Sequence, residues 1–321
     1  VKVSTAHYVF PALYCNLKRV DFLHYLPQEL VSYMKQITDI NRERNKQIIT
    51  QARDLNNHLL ANNITPIFLK GTGNLLAGIY EDIGERMVGD IDFIISKQDY
   101  PKTITILREF EYYEVEKKEY YPPNEYRHYR RLQKENNIAA VEIHSELLSN
   151  KYINEFNYSF VNIDSQVING ISVLSYANKL NLSIIAYQIN DLGFYFKTIA
   201  LRNAYDVFLL SKKTNAKDAV NALDKLTNPL NCFLAVCYEV FNSVDSLEFN
   251  KTTKTAAYLR GFNSHYTDPI TKKTQSIHIK TYTFIKLKIN IVLKSIIYKE
   301  YRVWLFKKLT DKNWYKEKLN Q

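Results

Sequence analysis

Two aspartates, Asp90 and Asp92, stand two residues apart and run into the apolar segment Phe93-Ile94-Ile95. Side chains in a strand alternate between faces, so Asp90 and Asp92 would share one face while Ile91 and Phe93 take the other. At the usual rise their backbones are roughly 7 Å apart. Their carboxyl groups could then converge on one divalent cation, or on two about 4 Å apart. Two carboxylates at the end of an apolar strand are costly unless something cationic meets them. A strand end open to solvent is the other reading of the pair.

Three further groups could complete a site. Phe68-Leu69-Lys70-Gly71-Thr72-Gly73 reads as a strand turning into a helix. Glycines there let backbone N–H groups approach a phosphate, with Lys70 adding a charge and Thr72 a hydroxyl. The spacing is not that of a Walker A loop, and a tight structural turn would use the same glycines. Arg86, four residues before Asp90, could be a phosphate clamp or a plain salt-bridge partner. In Val141-Glu142-Ile143-His144 an apolar–acidic–apolar alternation aims Glu142 to one face of a strand. Beside the aspartate strand, Glu142 would be a third carboxylate of the site, able to bind metal or take a proton. His144 would share its face, where a structural role is expected of it.

The order of these motifs resembles the nucleotidyltransferase superfamily of DNA polymerase beta, whose pattern is a Gly-Gly or Gly-Ser turn, an apolar-flanked DxD or DxE and a later acidic strand residue. The fuller string Leu69-Lys70-Gly71, Arg86-x-x-Gly89-Asp90-Ile91-Asp92 and Val141-Glu142-Ile143-His144 is most similar to a bacterial group of uncharacterised nucleotidyltransferases. Its members typically read LKG, R-x-x-x-DID and [DE]-x-H. The likeness covers residues 65–148 and extends loosely to Leu201–Val207. Thr72 departs from the Gly or Ser of the superfamily, the gap from Gly71 to Asp90 is long, and the third carboxylate is Glu rather than Asp.

The resemblance implies that Asp90, Asp92 and Glu142 are catalytic and hold Mg²⁺, with two ions expected. Lys70, Gly71 and Thr72 would cradle the phosphates of an NTP such as ATP, with Arg86 assisting. Glu142 would favour deprotonation of the acceptor hydroxyl. The implied activity is Mg²⁺-dependent transfer of an NMP to an unidentified acceptor (a protein, a small molecule or an RNA). Two alternatives stand beside it: a nucleotidyltransferase-type toxin of a toxin–antitoxin or phage-defence system, and a non-catalytic nucleotide-binding module.

The elements that must position these residues follow from periodicity. Apolar positions from Pro27 to Asn62 recur every three or four residues, as on a helix. Strands are expected at Thr65–Leu69, at the aspartate pair, at Tyr112–Lys118, and at Tyr126–Leu132 and Ile138–His144 joined by a hairpin. A helix is expected from Asn74 to Tyr80, and another from Asp99-Tyr100-Pro101 to about Phe110. A short strand at Ile171–Leu174 precedes Ser175, a helix cap, and helices follow to Phe241. Residues 243–274 read as polar and irregular, and His278–Leu309 as one long basic helix. The expectation is an α+β fold: a mixed nucleotidyltransferase sheet flanked by helices (64–174), with a helical N-terminal arm (1–63) and a mostly helical C-terminal domain (175–321).

Composition agrees. The 321 residues are 46% hydrophobic and 24% charged, and 8 Gly and 8 Pro leave room for long helices. Three cysteines without a paired spacing exclude a disulfide scaffold and a zinc cluster. No stretch reads as a signal peptide or a transmembrane helix, so a cytoplasmic protein is expected. The net charge of +10 is concentrated at the end: residues 271–321 hold 13 Lys/Arg against three acidic residues. That segment could be a core helix with a solvated basic face, a nucleic-acid contact or a helix on an anionic membrane surface.

Overall fold

The computed structural model describes residues 1–115, 127–148 and 150–310. Its centre is a seven-stranded mixed sheet: β1 (Ile67–Phe68), β2 (Asp90–Ile94), β3 (Tyr113–Glu114), β4 (Leu132–Gln133), β5 (Ala140–His144), β6 (Gln166–Ile168) and β7 (Ile171–Val173), in the order β3-β4-β5-β2-β1-β7-β6. The α+β expectation holds. β2 pairs antiparallel with β1 and parallel with β5, bringing Asp90 opposite Ala140 and Asp92 opposite Glu142. Alternation then puts Ile91, Phe93, Val141 and Ile143 on the other face, where all four are fully buried. The apolar half of each strand anchors the register, so the carboxylate half is held with it.

The long helix α1 (Gln28–Ala61) positions the inner strands through amides on its buried face. Asn41 donates to the carbonyls of Gly84 and Arg86, and Asn45 to those of Ile83 and Arg86. Gln51 donates to Ala139 O and accepts from Ala139 N, pinning the start of β5. These bonds satisfy backbone groups that burial would otherwise leave without partners.

The helix after β1 begins earlier than the sequence suggests. α2 spans Lys70–Leu76, so Lys70-Gly71-Thr72-Gly73 is its first turn rather than a loop before it. Lys70 takes a left-handed φ of 50°. A Cβ on Gly73 would lie 2.6 Å from Phe68 O, so only glycine lets α2 pack this closely on the end of β1.

α3 (Tyr100–Glu109) follows β2 as expected. Of the strand foreseen over Tyr112–Lys118, Tyr113–Glu114 is formed; residues 116–118, and Tyr126 of the next expected strand, lie outside the described residues. β6, not foreseen, pairs antiparallel with β7. Ser175 caps α4 (Tyr176–Ile185), accepting from Asn178 N at 3.3 Å. A π turn at Ala186–Asn190 prolongs α4, and α5 (Leu201–Ser211) packs against it. α6 (Thr227–Val240) is buried from Pro229 to Cys237.

The stretch expected to be irregular, 243–274, instead contains α7 (Thr253–Thr267) and the start of α8 (Pro269–Ile297). Its polar composition reflects exposed helix faces rather than loops. The single helix foreseen over His278–Leu309 is two, because α8 stops at Ile297 and α9 runs Lys299–Thr310. α8 and α9 pack together through Ile291, Tyr301 and Trp304. Residues 1–262 and 263–310, as far as described, form two compact units.

Candidate active site

The site is built where β2 and β5 lie side by side. Asp92, Glu142 and His144 each bring a ligand atom to within 4.8 Å of the others. His144 Nε2 lies 2.8 Å from Asp92 Oδ1, and Lys70 Nζ lies 2.6 Å from that same oxygen and 3.4 Å from the imidazole. His144, for which a structural role was expected, therefore faces the acidic site directly. Asp90 points to the same side but to the outer end. Its Oδ1 is 2.5 Å from an Arg131 amino group, and Arg131 Nε is 3.6 Å from Glu142 Oε1. The face thus has an inner cluster, Asp92 with His144 and Lys70, and an outer one, Asp90 with Arg131, with Glu142 between them.

The charges follow from this packing. Burial works against ionisation of Asp92, but the Lys70 ammonium and the His144 hydrogen bond outweigh it and hold the carboxyl well below the usual range. Burial, together with the Asp92 charge, pushes Glu142 the other way, above the ordinary value. Burial depresses the His144 imidazole to about 4, against the pull of Asp92, so the ring is neutral at pH 7. Since an ionised Asp92 can only accept, Nε2 donates in the 2.8 Å contact. A cation at Asp92 would take the place of this proton, which the ring can carry on Nδ1, 3.4 Å from Glu146 O; with Nε2 freed, the imidazole and the two carboxylates are a competent donor set. The Lys70 ammonium, seated against Asp92 and His144, marks where positive charge is favoured. The residues present therefore fit a metal ion.

Lys70 reaches that position from a backbone conformation that costs a non-glycine residue about 1–2 kcal/mol. Such strain concentrates where a side chain must be aimed.

The other residues singled out in the sequence are placed as follows. Gly71 and Thr72 are buried in the first turn of α2. The Thr72 hydroxyl donates to Asp90 O at 2.8 Å, tying α2 to the aspartate strand. Arg86 is buried, with Nε and one amino group bonded to Asp206 Oδ1 and Oδ2 at 2.9 Å. Its other amino group donates to Met87 O, and Tyr80 OH donates to Asp206 Oδ1 at 2.7 Å. The partner of Arg86 is thus supplied by α5, from the stretch Leu201–Val207.

Beside the carboxylates lies a cavity of about 170 Å³ whose walls carry Lys70, Arg86, Arg127 and Arg202 against Asp191 and Asp206. Arg86 and Asp206 neutralise one another. The guanidinium groups of Arg127 and Arg202 form no ion pair among the described residues, and Arg202 stands 5.2 Å from the Tyr8 ring. Burial lowers the pKa of both, the signature of cations held partly out of water without a full counter-charge. Neither arginine was foreseen. Arg127 lies in a basic run, Arg127-His128-Tyr129-Arg130-Arg131, that hints at charge but not at direction. Arg202 lies in the Leu201–Val207 stretch to which the family likeness extends, but that likeness assigns it no role.

No curated protein matches the sequence. The sequence pattern of the family described as uncharacterised nucleotidyltransferase matches residues 1–242, well over half of the chain, and the chain belongs to that family.

Proposed function

We propose that the protein transfers a nucleoside monophosphate from an NTP to an acceptor hydroxyl, with a divalent cation, Mg²⁺ or Mn²⁺, at the carboxylates. The observation that carries this reading is the juxtaposition of two half-sites of opposite sign. A cluster of Asp92, Glu142 and His144 whose ligand atoms lie within 4.8 Å of one another, with Asp90 at its outer end, adjoins a cavity into which Lys70, Arg127 and Arg202 bring positive charge. A metal-bound polyphosphate needs both at once. When bound, the metal would act as a Lewis acid on the phosphoryl oxygens and offset the charge that develops there.

The chain's own residues supply the rest. Glu142, held opposite Asp92 by the β2–β5 pairing, is placed to take the proton of the acceptor hydroxyl. The acceptor oxygen then bonds to the α-phosphorus as the bond to the bridging oxygen breaks and pyrophosphate departs. Arg127, Arg202 and Lys70 stabilise the charge that builds on that leaving group. Thr72 holds the end of β2, and Arg86 with Asp206 builds the cavity wall between sheet and helices.

The test is a labelled-NTP transfer assay in a lysate of the source organism, with pyrophosphate release followed in parallel. Transfer of label that requires a divalent cation and is lost in Asp90→Asn/Asp92→Asn is expected. Unchanged turnover in that double variant would refute the reading. Nucleotide binding without pyrophosphate release would make the protein a binding module instead.

A further inference from the structure

The net charge of the chain resides in its last fifty residues, and the second unit shows what accompanies it. α8 presents two apolar faces. One, with Leu287 and Ile291, packs on Tyr301, Trp304 and Leu305 of α9. The other carries Tyr282, Ile285, Ile289, Val292, Leu293 and Ile296, spaced three and four residues apart and therefore aligned on one side of the helix. All six are exposed, Ile296 by 70%. A stripe of this size and continuity on an exposed helix marks an interaction surface.

Three features say what covers it. Lys286 and Lys288 flank the stripe, and the only acidic residue in α8 and α9 is Glu300. A second copy of this helix would bring lysine against lysine, which disfavours self-pairing; an anionic partner is complementary. Val292 also borders a groove between α8 and α9, floored by Ile291, Trp304, Leu305 and Leu309, with Lys288 and Lys308 lining it. Trp304 is 6% exposed and its indole N–H has no hydrogen-bond partner among the described residues. An apolar groove lined by lysines matches a ligand with a hydrocarbon part and an anionic polar part. Nucleic acid offers no such hydrocarbon. Finally, among the described residues no helix is long and apolar enough to cross a membrane, so a lipid partner must be met in the plane of its surface.

We propose that the α8–α9 hairpin docks on a bilayer surface containing anionic phospholipid. The Tyr282–Ile296 stripe enters the interface, the flanking lysines lie at the level of the headgroup phosphates, and the α8–α9 groove receives part of a lipid. The inference is independent of the nucleotidyl-transfer reading, because it uses only the second unit.

The test is co-sedimentation of the full chain with phosphatidylcholine vesicles, with and without phosphatidylglycerol. Binding to the anionic vesicles is expected to exceed binding to neutral ones by at least about tenfold at low salt and to fall steeply as salt is raised. Ile289→Glu/Ile296→Glu should reduce it by at least about tenfold; both positions are exposed, so the variant should keep its circular dichroism. Lys286→Glu/Lys288→Glu, which leaves the apolar stripe intact, should also weaken binding to anionic vesicles.

Absence of vesicle binding, equal binding to neutral vesicles, or binding unchanged by the isoleucine substitutions would each overturn the proposal. So would a concentration-dependent dimer that the isoleucine substitutions dissolve, since a second copy would then cover the stripe. Salt-sensitive binding of a single-stranded RNA that survives those substitutions, without vesicle binding, would assign the face to nucleic acid.

Discussion

Lys70 gives the sharpest test of the site, because its ammonium stands where a metal ion would be favoured. Replacing it by Met keeps the unbranched apolar stem, one atom shorter, and removes the charge. Asp92, which is nearly buried, would lose its 2.6 Å contact and keep only the imidazole at 2.8 Å. Removing one partner of a buried ion pair usually costs about 3–5 kcal/mol, because the other charge is left uncompensated. The Lys70 side chain is 33% exposed, so screening by solvent places this pair at the low end or below it, at about 2–3 kcal/mol. Metal-free protein should lose that much stability in urea unfolding.

Metal binding should respond in the opposite direction. In the wild-type protein a cation at Asp92 and His144 must displace the ammonium; in Lys70→Met it meets an unpaired carboxylate. The same 2–3 kcal/mol then appears as tighter binding, roughly 30- to 150-fold at about 1.4 kcal/mol per tenfold. Calorimetric titration with Mn²⁺, which accepts both oxygen and imidazole ligands, measures it. The reasoning is refuted if Mn²⁺ binds the variant no more tightly than wild type, or if the metal-free variant is as stable as wild type.

Two further outcomes test the packing around the site. Gly73→Ala would place a Cβ 2.6 Å from the carbonyl oxygen of Phe68, a backbone atom that cannot rotate away, and should destabilise the fold by about 1–3 kcal/mol. Gly71→Ala meets side chains alone, Val88 at 2.9 Å and Arg86 at 3.7 Å, so thermal unfolding should show a smaller loss; equal losses would contradict the geometry. Lys179 is buried with its ammonium on Leu174 O, and burial lowers its pKa to about 7, far below that of the unfolded chain. Between these two values the unfolded state binds more protons, so stability rises with pH and is lost as pH falls toward 7. Relative to Lys179→Met, the wild-type protein should gain about 2 kcal/mol from pH 7 to 9, at about 1.4 kcal/mol per pH unit less the partial titration near 7. A flat difference in urea unfolding would show that the amine is not confined.

Local order in the sequence determined a good part of this protein. The alternations Asp90-Ile91-Asp92-Phe93 and Val141-Glu142-Ile143 foretell two strands with their carboxylates to one side, since side-chain direction in a strand depends only on parity. The three-and-four spacing of apolar residues foretells α1, and the uneven charge singles out the C-terminal segment. What lay beyond reach depends on which distant pieces meet. The parallel pairing of β2 with β5, which sets Asp92 opposite Glu142, joins strands some fifty residues apart. The same pairing turns His144 onto Asp92, and the left-handed backbone of Lys70 delivers its ammonium to the same oxygen. The motif singles out Arg86 but not its partner Asp206, and only the tertiary packing that brings α5 to the segment before β2 makes them a buried pair. Arg127 and Arg202 likewise line one cavity only when the segment before β4 and α5 come together. Side-chain periodicity is a property of neighbours along the chain. A site of opposed charges is a property of neighbours in space, and the tertiary fold alone chooses those.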